Sequence, residues 1–269
     1  MKSNNKRWTA LTILLIGSII SVFLVTSASA VSGGVSVAPA AINITNARAT
    51  MNTAFEEGNW PRVTAYAELI TTTDPASGAD IWCTWSYALR KMGDYEGALD
   101  AANEALARDP DNHQCYLNRG YIHLALGNWT DARLDAESAL RYAPADAAAY
   151  NIIAMGLLGQ KDERNALVAA ETALGLEPEN AEYLNTKGMI LISTGDYGKA
   201  VAVLTRAVEV SGEEYDAPYP DASTPKENLN EAQRLYDENS VSPYLIFVAA
   251  GLILVVAAGA GLIRRRSKK

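Results

Sequence analysis

Cysteine and histidine are nearly absent, with two of each in 269 residues. Two cysteines exclude a disulfide-dense scaffold and an all-cysteine zinc site. Two histidines leave little for a histidine-rich metal centre. Basic residues are also in deficit, 23 Lys+Arg against 31 Asp+Glu for a formal charge of −8. That argues against nucleic acid as the main partner, because phosphate binding needs a basic surface. No P-loop, nucleophile elbow or zinc-protease motif occurs. The carboxylates are scattered, as on solvated helix faces. The expectation is a protein without catalytic residues, cofactor or metal. Apolar residues are plentiful at 49%, enough for the core of one large domain or two small ones.

Both ends carry the signature of a membrane. Lys2, Lys6 and Arg7 precede an apolar run, Trp8 to Val25, which is followed by Thr26-Ser27-Ala28-Ser29-Ala30. A basic start, an apolar stretch and a small-x-small site predict a signal peptide over 1–30, cleaved after Ala30. The run is also long enough to serve as an uncleaved anchor. Near the other end, residues 244–263 carry no charge, and Arg264, Arg265, Arg266, Lys268 and Lys269 follow. Twenty helical residues rise roughly 30 Å, the thickness of a bilayer core. A transmembrane helix is expected there, with 264–269 as a cytoplasmic basic tail. The bulk of the chain is then a single-pass ectodomain outside the cell membrane, whether or not the first segment is removed.

The middle repeats itself. Ala98, Ala132, Ala166 and Ala200 are 34 apart, and Ala105, Ala139, Ala173 and Ala207 keep the same step. Pro110, Pro144 and Pro178 form a third column, with Gly212 in the fourth place. Gly93, Gly127 and Gly195 form another, with Lys161 in the third place. Within a unit, Trp82, Trp85 and Leu89 follow the period of one helical face. Gly93-Asp94 interrupts it, a second amphipathic run follows, and Asp109-Pro110 stops that one. Alanine at the crossing lets two backbones approach.

This pattern resembles the tetratricopeptide repeat, a 34-residue helix–turn–helix of the form W-x2-L-G-x2-Y, A-x3-F, A, P. One unit reads Tyr116-x2-Arg119-Gly120-x2-His123, Ala132-x3-Ala136, Ala139 and Pro144. Another reads Trp82-x2-Trp85-Ser86-x2-Leu89, Ala98-x3-Ala102, Ala105 and Pro110. The units are 79–112, 113–146, 147–180 and 181–214, with a degenerate one at 44–78 built on Phe55 to Trp60 and Asp74-Pro75. The resemblance implies an all-α fold, a right-handed α-solenoid, to which the transmembrane helix would be added. Residues 31–43 are expected to be a flexible linker and 215–224 an acidic linker. Thr224-Pro225-Lys226-Glu227 has the form of a capping box. It predicts a helix over 225–238, which either covers the open end of the array or forms a juxtamembrane stalk.

The family resemblance also implies a partner groove lined by the first helix of each unit. Carried onto this chain, the groove positions are Tyr87, Arg90 and Lys91; Leu117, Tyr121 and Leu124; Asn151, Met155 and Leu158; and Asn185, Met189 and Ile192. The family's carboxylate clamp needs lysine where Cys83 stands, so that specificity is not implied. An apolar groove with methionines and amides suits a peptide or helix. Equally, these residues could pack against neighbouring helices.

His113, Cys115 and His123 lack the spacing of zinc ligands, and His123 falls in the aromatic column of its repeat. Cys83 and Cys115 lie on first helices of neighbouring units and are either bonded or two buried thiols. Asn43 and Asn128 head glycosylation sequons. The function expected is a protein-binding scaffold or assembly factor, with envelope or secreted proteins as partners. The lipid bilayer would be met through the C-terminal helix alone. An accessory subunit binding sugar or lipid is the alternative from another class. A self-assembler is a third, with only Ala257 and Gly261 hinting at helix pairing. Removing the basic ends leaves 15 basic and 31 acidic residues between them, so the exported part is far more acidic than the whole. Such a surface stands off from anionic headgroups.

Overall fold

A computed structural model describes residues 43–212 and 215–240. The expected signal peptide, the linker up to residue 42, the transmembrane segment 244–263 and the basic tail lie outside the described residues. Among the described residues no helix is long and apolar enough to cross a membrane.

Eleven helices and no strand occur among the described residues. They are α1 Ile44–Glu56, α2 Trp60–Thr73, α3 Ala79–Lys91, α4 Tyr95–Arg108, α5 His113–Ala125 and α6 Trp129–Tyr142. They continue as α7 Ala147–Gly159, α8 Glu163–Leu176, α9 Ala181–Ser193, α10 Tyr197–Ser211 and α11 Pro225–Ser240. The first ten form five antiparallel pairs, each pair packing on the next, so the array is an α-solenoid.

Each pair closes on the same kind of turn, and three of the five second helices add a side-chain cap. The first helix ends in a left-handed residue: Gly58, Gly93, Gly127 and Gly195 have φ between 66° and 80°, and Lys161 takes φ 65° at the same place. Lysine there bears a steric cost that glycine avoids, and the turn forms nonetheless. Asn59, Asp94 and Asp162 then cap the second helices by accepting from the backbone N–H three residues on. Asn112, Asp146 and Asn180 do the same for first helices.

The small-residue columns are the interior of the array. Ala98, Ala132, Ala166, Ala200, Ala105, Ala139, Ala173 and Ala207 are all completely buried. Two turns into each first helix runs a further small column, Ser86, Gly120, Ala154 and Gly188, likewise at the helix crossing. Ser86 Oγ donates to the Ala98 carbonyl at 2.7 Å, across the pair. A Cβ added to Gly120 would lie 3.3 Å from Ile152 and 3.4 Å from the Ala132 carbonyl oxygen. Close approach of backbones is therefore what the small residues provide.

The helix after the array is α11, two residues longer than the sequence suggested. Its N-terminus is a capping box: Thr224 N–H donates to Glu227 Oε2 at 2.9 Å, and Glu227 N–H donates to Thr224 Oγ1 at 3.2 Å. Ala232 is completely buried, and with Leu229 it packs on Leu191, Ala200 and Leu204. The helix covers the last pair, α9 and α10.

Candidate functional site: the first-helix face and the segment that crosses it

The first helices α3, α5, α7 and α9 line one side of the array, because residues three and four apart on each share a face. On α3 this face carries Tyr87, Arg90 and Lys91. Arg90 is buried at 3% exposure, with its guanidinium 4.7 Å from the Tyr87 ring centroid and 5.0 Å from that of Tyr121. Its Nε donates to Asn118 Oδ1 at 2.8 Å, and Asn118 donates in turn to Ser86 Oγ at 2.6 Å. Tyr87 is held from the other side by Phe55 and Trp60, with centroids 5.2 and 5.5 Å away. The degenerate first unit thus serves as the wall behind the cation.

Three repeats further on, Glu182 at the start of α9 faces back into the groove. Its Oε1 accepts from Tyr121 Oη and from Asn151 Nδ2, each at 2.7 Å. Burial raises the Glu182 carboxyl above the usual range, opposed by the Tyr121 hydrogen bond and the charges of Arg90 and Lys91. Burial also pushes the Tyr121 hydroxyl well up, and the Glu182 charge adds to it. Desolvation lowers Arg90, opposed by its tyrosine and carboxylate neighbours.

The remaining partners come from the stretch 215–224. This segment, expected to be a linker, lies across the groove as an extended strap with a turn at its centre. Arg90 Nη1 donates to the Pro218 carbonyl and Lys91 Nζ pairs with the Asp216 carboxylate. Lys91 Nζ also donates to the Ala217 carbonyl at 2.6 Å. Tyr219 packs against the apolar cluster that contains Leu117, Tyr121 and Leu124, as Met155 does. Burial, with the Glu182 charge second, raises its hydroxyl to about 12. Tyr95 Oη donates to Asp221 Oδ2 at 3.4 Å. Asn185 Nδ2 donates to the Ser223 carbonyl at 2.9 Å, and Asn228 Nδ2 donates to Asn185 Oδ1 at 2.8 Å. Ser223 Oγ lies 3.6 Å from Met189 Sδ.

Of the twelve groove positions inferred from the family, the structure brings Tyr87, Arg90, Lys91, Leu117, Tyr121, Leu124, Asn151, Met155, Asn185 and Met189 around this strap or its hydrogen-bond network. Leu158 packs with the Ala154–Ala166 cluster and Ile192 with Leu191 and Leu204, both in the layer between helices. Sequence reasoning missed Asn118, Glu182 and the strap itself. A signal was present: two tyrosines and two prolines in seven residues, Tyr215 to Asp221, are more than a solvated linker needs.

Cys83 and Cys115 lie with Cα atoms 5.5 Å apart, a separation that a disulfide spans. The sequon residues Asn43 and Asn128 are both exposed, as N-caps of α1 and α6. His123 lies 3.7 Å from Asp135, which also takes both Nε and Nη2 of Arg119. Among the described residues no group of three His, Cys, Asp or Glu is placed to hold a metal ion.

Residues 83–150 and 117–170 match one tetratricopeptide repeat family model, and 181–214 match a second. Over 88 residues the chain is 33% identical to the Hsp70-Hsp90 organizing protein of Triticum aestivum, covering 33% of this chain and 15% of that one. Over 97 residues it is 32% identical to a Protein SGT1 homolog of Bos taurus, covering 36% and 28%. The chain thus spans less than a third of the length of these curated relatives. Among solved structures, a thermophilic TPR protein of Thermus thermophilus aligns with TM-score 0.59 at 16% identity, over 71% of this chain and 98% of that one. MamA from Desulfovibrio magneticus RS-1 aligns with TM-score 0.54 at 20% identity, over 64% and 97%. At such identity these two share the fold alone. Residues 83–170 and 181–214 of this chain are tetratricopeptide repeats.

Proposed function

We propose that the protein is a non-enzymatic scaffold that binds other proteins through the groove of its repeats. One observation carries this reading: the groove holds an extended stretch of polypeptide, gripping its backbone carbonyls with Arg90, Lys91 and Asn185. A surface that binds main chain in this way is a peptide-binding surface. The relatives named above, one of them called an organizing protein, are consistent with it.

The reading includes a place. The basic start and small-x-small site, the uncharged stretch 244–263 and the five cations after it support an ectodomain outside the cell membrane with a cytoplasmic C-terminus. Partners would then be envelope or secreted proteins, and nucleic acid is disfavoured by the charge.

Two experiments on the full chain in its own cells test these statements. A photo-crosslinking residue in place of Met155 should yield discrete heavier adducts containing another protein. Recovery of the chain free of adducts under conditions that label a control surface would overturn the scaffold reading. A membrane-impermeant amine reagent should label ectodomain lysines in intact cells. Labelling only after lysis would overturn the location.

A further inference from the structure

We infer that the groove is built for an extended acidic segment carrying tyrosine and proline, and that residues 215–224 are a resident copy of that ligand which a partner displaces. This inference rests on the scaffold reading and names the partner's chemistry.

Opposite Asp216 to Pro218 the groove wall offers donors, while the Glu182 carboxyl in the same groove is taken up by Tyr121 and Asn151. Arg90 and Lys91 have hydrogens to give and no lone pair to accept with. They therefore suit a chain that presents carbonyls and carboxylates. The strap does so: Asp216 pairs with Lys91, the Ala217 carbonyl accepts from Lys91 and the Pro218 carbonyl accepts from Arg90. Pro218 and Pro220 lack a backbone N–H, so neither sets a donor against this cationic wall. A non-proline residue at the buried position 218 would need an acceptor for its N–H. Pro218 is the one buried residue of 215–224. Tyr219 then packs, partly buried, against the apolar cluster that contains Leu117, Tyr121 and Leu124. Asp221 accepts from Tyr95 on the rim. The recognised pattern is an acid, a proline, an aromatic, a second proline and a second acid.

The strap is held in a way that permits exchange. It contributes no helix, and Asp216, Pro220 and Asp221 are exposed. The Asp216 side chain is 77% exposed while that of Lys91 is 8% exposed. Arg90 is held within the array by Asn118, Tyr87 and Tyr121, whereas the strap's anchoring charge faces solvent. The segment is joined to α10 on one side and α11 on the other, so it can leave the groove without opening any helix pair. Its tether holds it at an effective concentration on the order of millimolar, so a partner in trans must outcompete it. The affinity seen from outside is lowered by the fraction of time that the groove is free.

The test uses the full chain and a fluorescent peptide copying residues 215–224, followed by anisotropy. A strap-loosened chain, Asp216→Ala with Tyr219→Ala, should bind the peptide about tenfold or more tightly than the unaltered chain does. Adding Lys91→Glu to it should reduce binding by at least about tenfold. A peptide with both aspartates changed to asparagine should bind more weakly than the parent. Three results would overturn the inference: no binding by a loosened chain whose far-UV spectrum is unchanged, binding indifferent to Lys91→Glu, or a concentration-dependent dimer in which a second copy's strap fills the groove. If the variants do not fold, hydrogen exchange on the unaltered chain decides. Millimolar peptide should raise exchange across 215–224, and unchanged exchange would overturn the inference. Protein adducts at Met155 together with a non-binding peptide would remove this partner chemistry while leaving the scaffold function in place; loss of the adducts as well would remove both.

Discussion

Gly188 and Leu204 form a size-matched pair whose swap gives a sharp test of how the repeats pack. In the preceding unit the same two positions hold Ala154 and Ala170, both completely buried. In the last unit the partition is unequal, with no side chain on α9 and a fully buried leucine on α10. A Cβ on Gly188 would fall 2.4 Å from Leu204 Cγ and Cδ2, well inside van der Waals contact. Overpacking of this kind costs about 2 kcal/mol, and alanine for glycine in a helix returns about 1 kcal/mol. Gly188→Ala is therefore expected to destabilise by about 1 kcal/mol net. Leu204→Ala removes packing against Leu191, Ala200 and Ala232 and should cost about 3 kcal/mol. In the double variant the clash disappears, leaving about 2 kcal/mol where simple addition gives about 4 kcal/mol. Urea unfolding of the full chain and the three variants, followed by far-UV circular dichroism, measures this. A coupling below about 0.5 kcal/mol, the usual tolerance for independent sites, would refute the account of the helix crossing.

Three further outcomes are expected. A disulfide between Cys83 and Cys115, 32 residues apart, restricts the unfolded chain by about 3.7 kcal/mol on loop entropy. Protein from oxidising culture should therefore melt roughly 7–15 °C above the same protein treated with dithiothreitol. Two free thiols by mass spectrometry of unreduced protein would refute the bond. Because Glu182 is raised by burial, the neutral form is the one that the fold prefers. Its stabilising contribution is complete below the usual carboxylate pKa and is lost as pH rises through the raised value. Glu182→Gln should accordingly gain stability relative to the unaltered chain as pH rises from about 4.5 toward neutrality. A pH-independent difference in thermal midpoint would contradict that assignment. Asn112→Ala removes the acceptor for the Cys115 N–H at 3.2 Å and should cost about 1 kcal/mol. Equal urea midpoints would count against the cap.

Glu182 and the strap show where sequence reading reached its limit. Glu182 is one acid among 31 in the chain, and nothing set it apart from carboxylates read together as solvated. Only the stacking of repeats brings it to Tyr121, 61 residues away in sequence. Arg90 and Pro218 meet across 128 residues, a separation that no local pattern encodes. The groove positions came from the family resemblance, and two of them, Leu158 and Ile192, pack between helices instead. The occupant was not legible, because a ten-residue irregular segment has no period and its path is set by what it finds to bind.

The sequence by itself determined the unit: two helices, a turn needing a left-handed residue, and alanine columns 34 apart. These follow from local sterics and from periodic burial, which operate within a few turns of chain. It determined the turn even at Lys161, where the surrounding repeat imposes φ 65° on a residue that disfavours it. Tertiary structure alone decided that the acidic stretch after the array returns to the groove. The cause is long-range complementarity: Arg90 and Lys91 carry donors that the Asp216 carboxylate and the carbonyls of Ala217 and Pro218 accept from, and those acceptors lie 125 to 128 residues away in sequence.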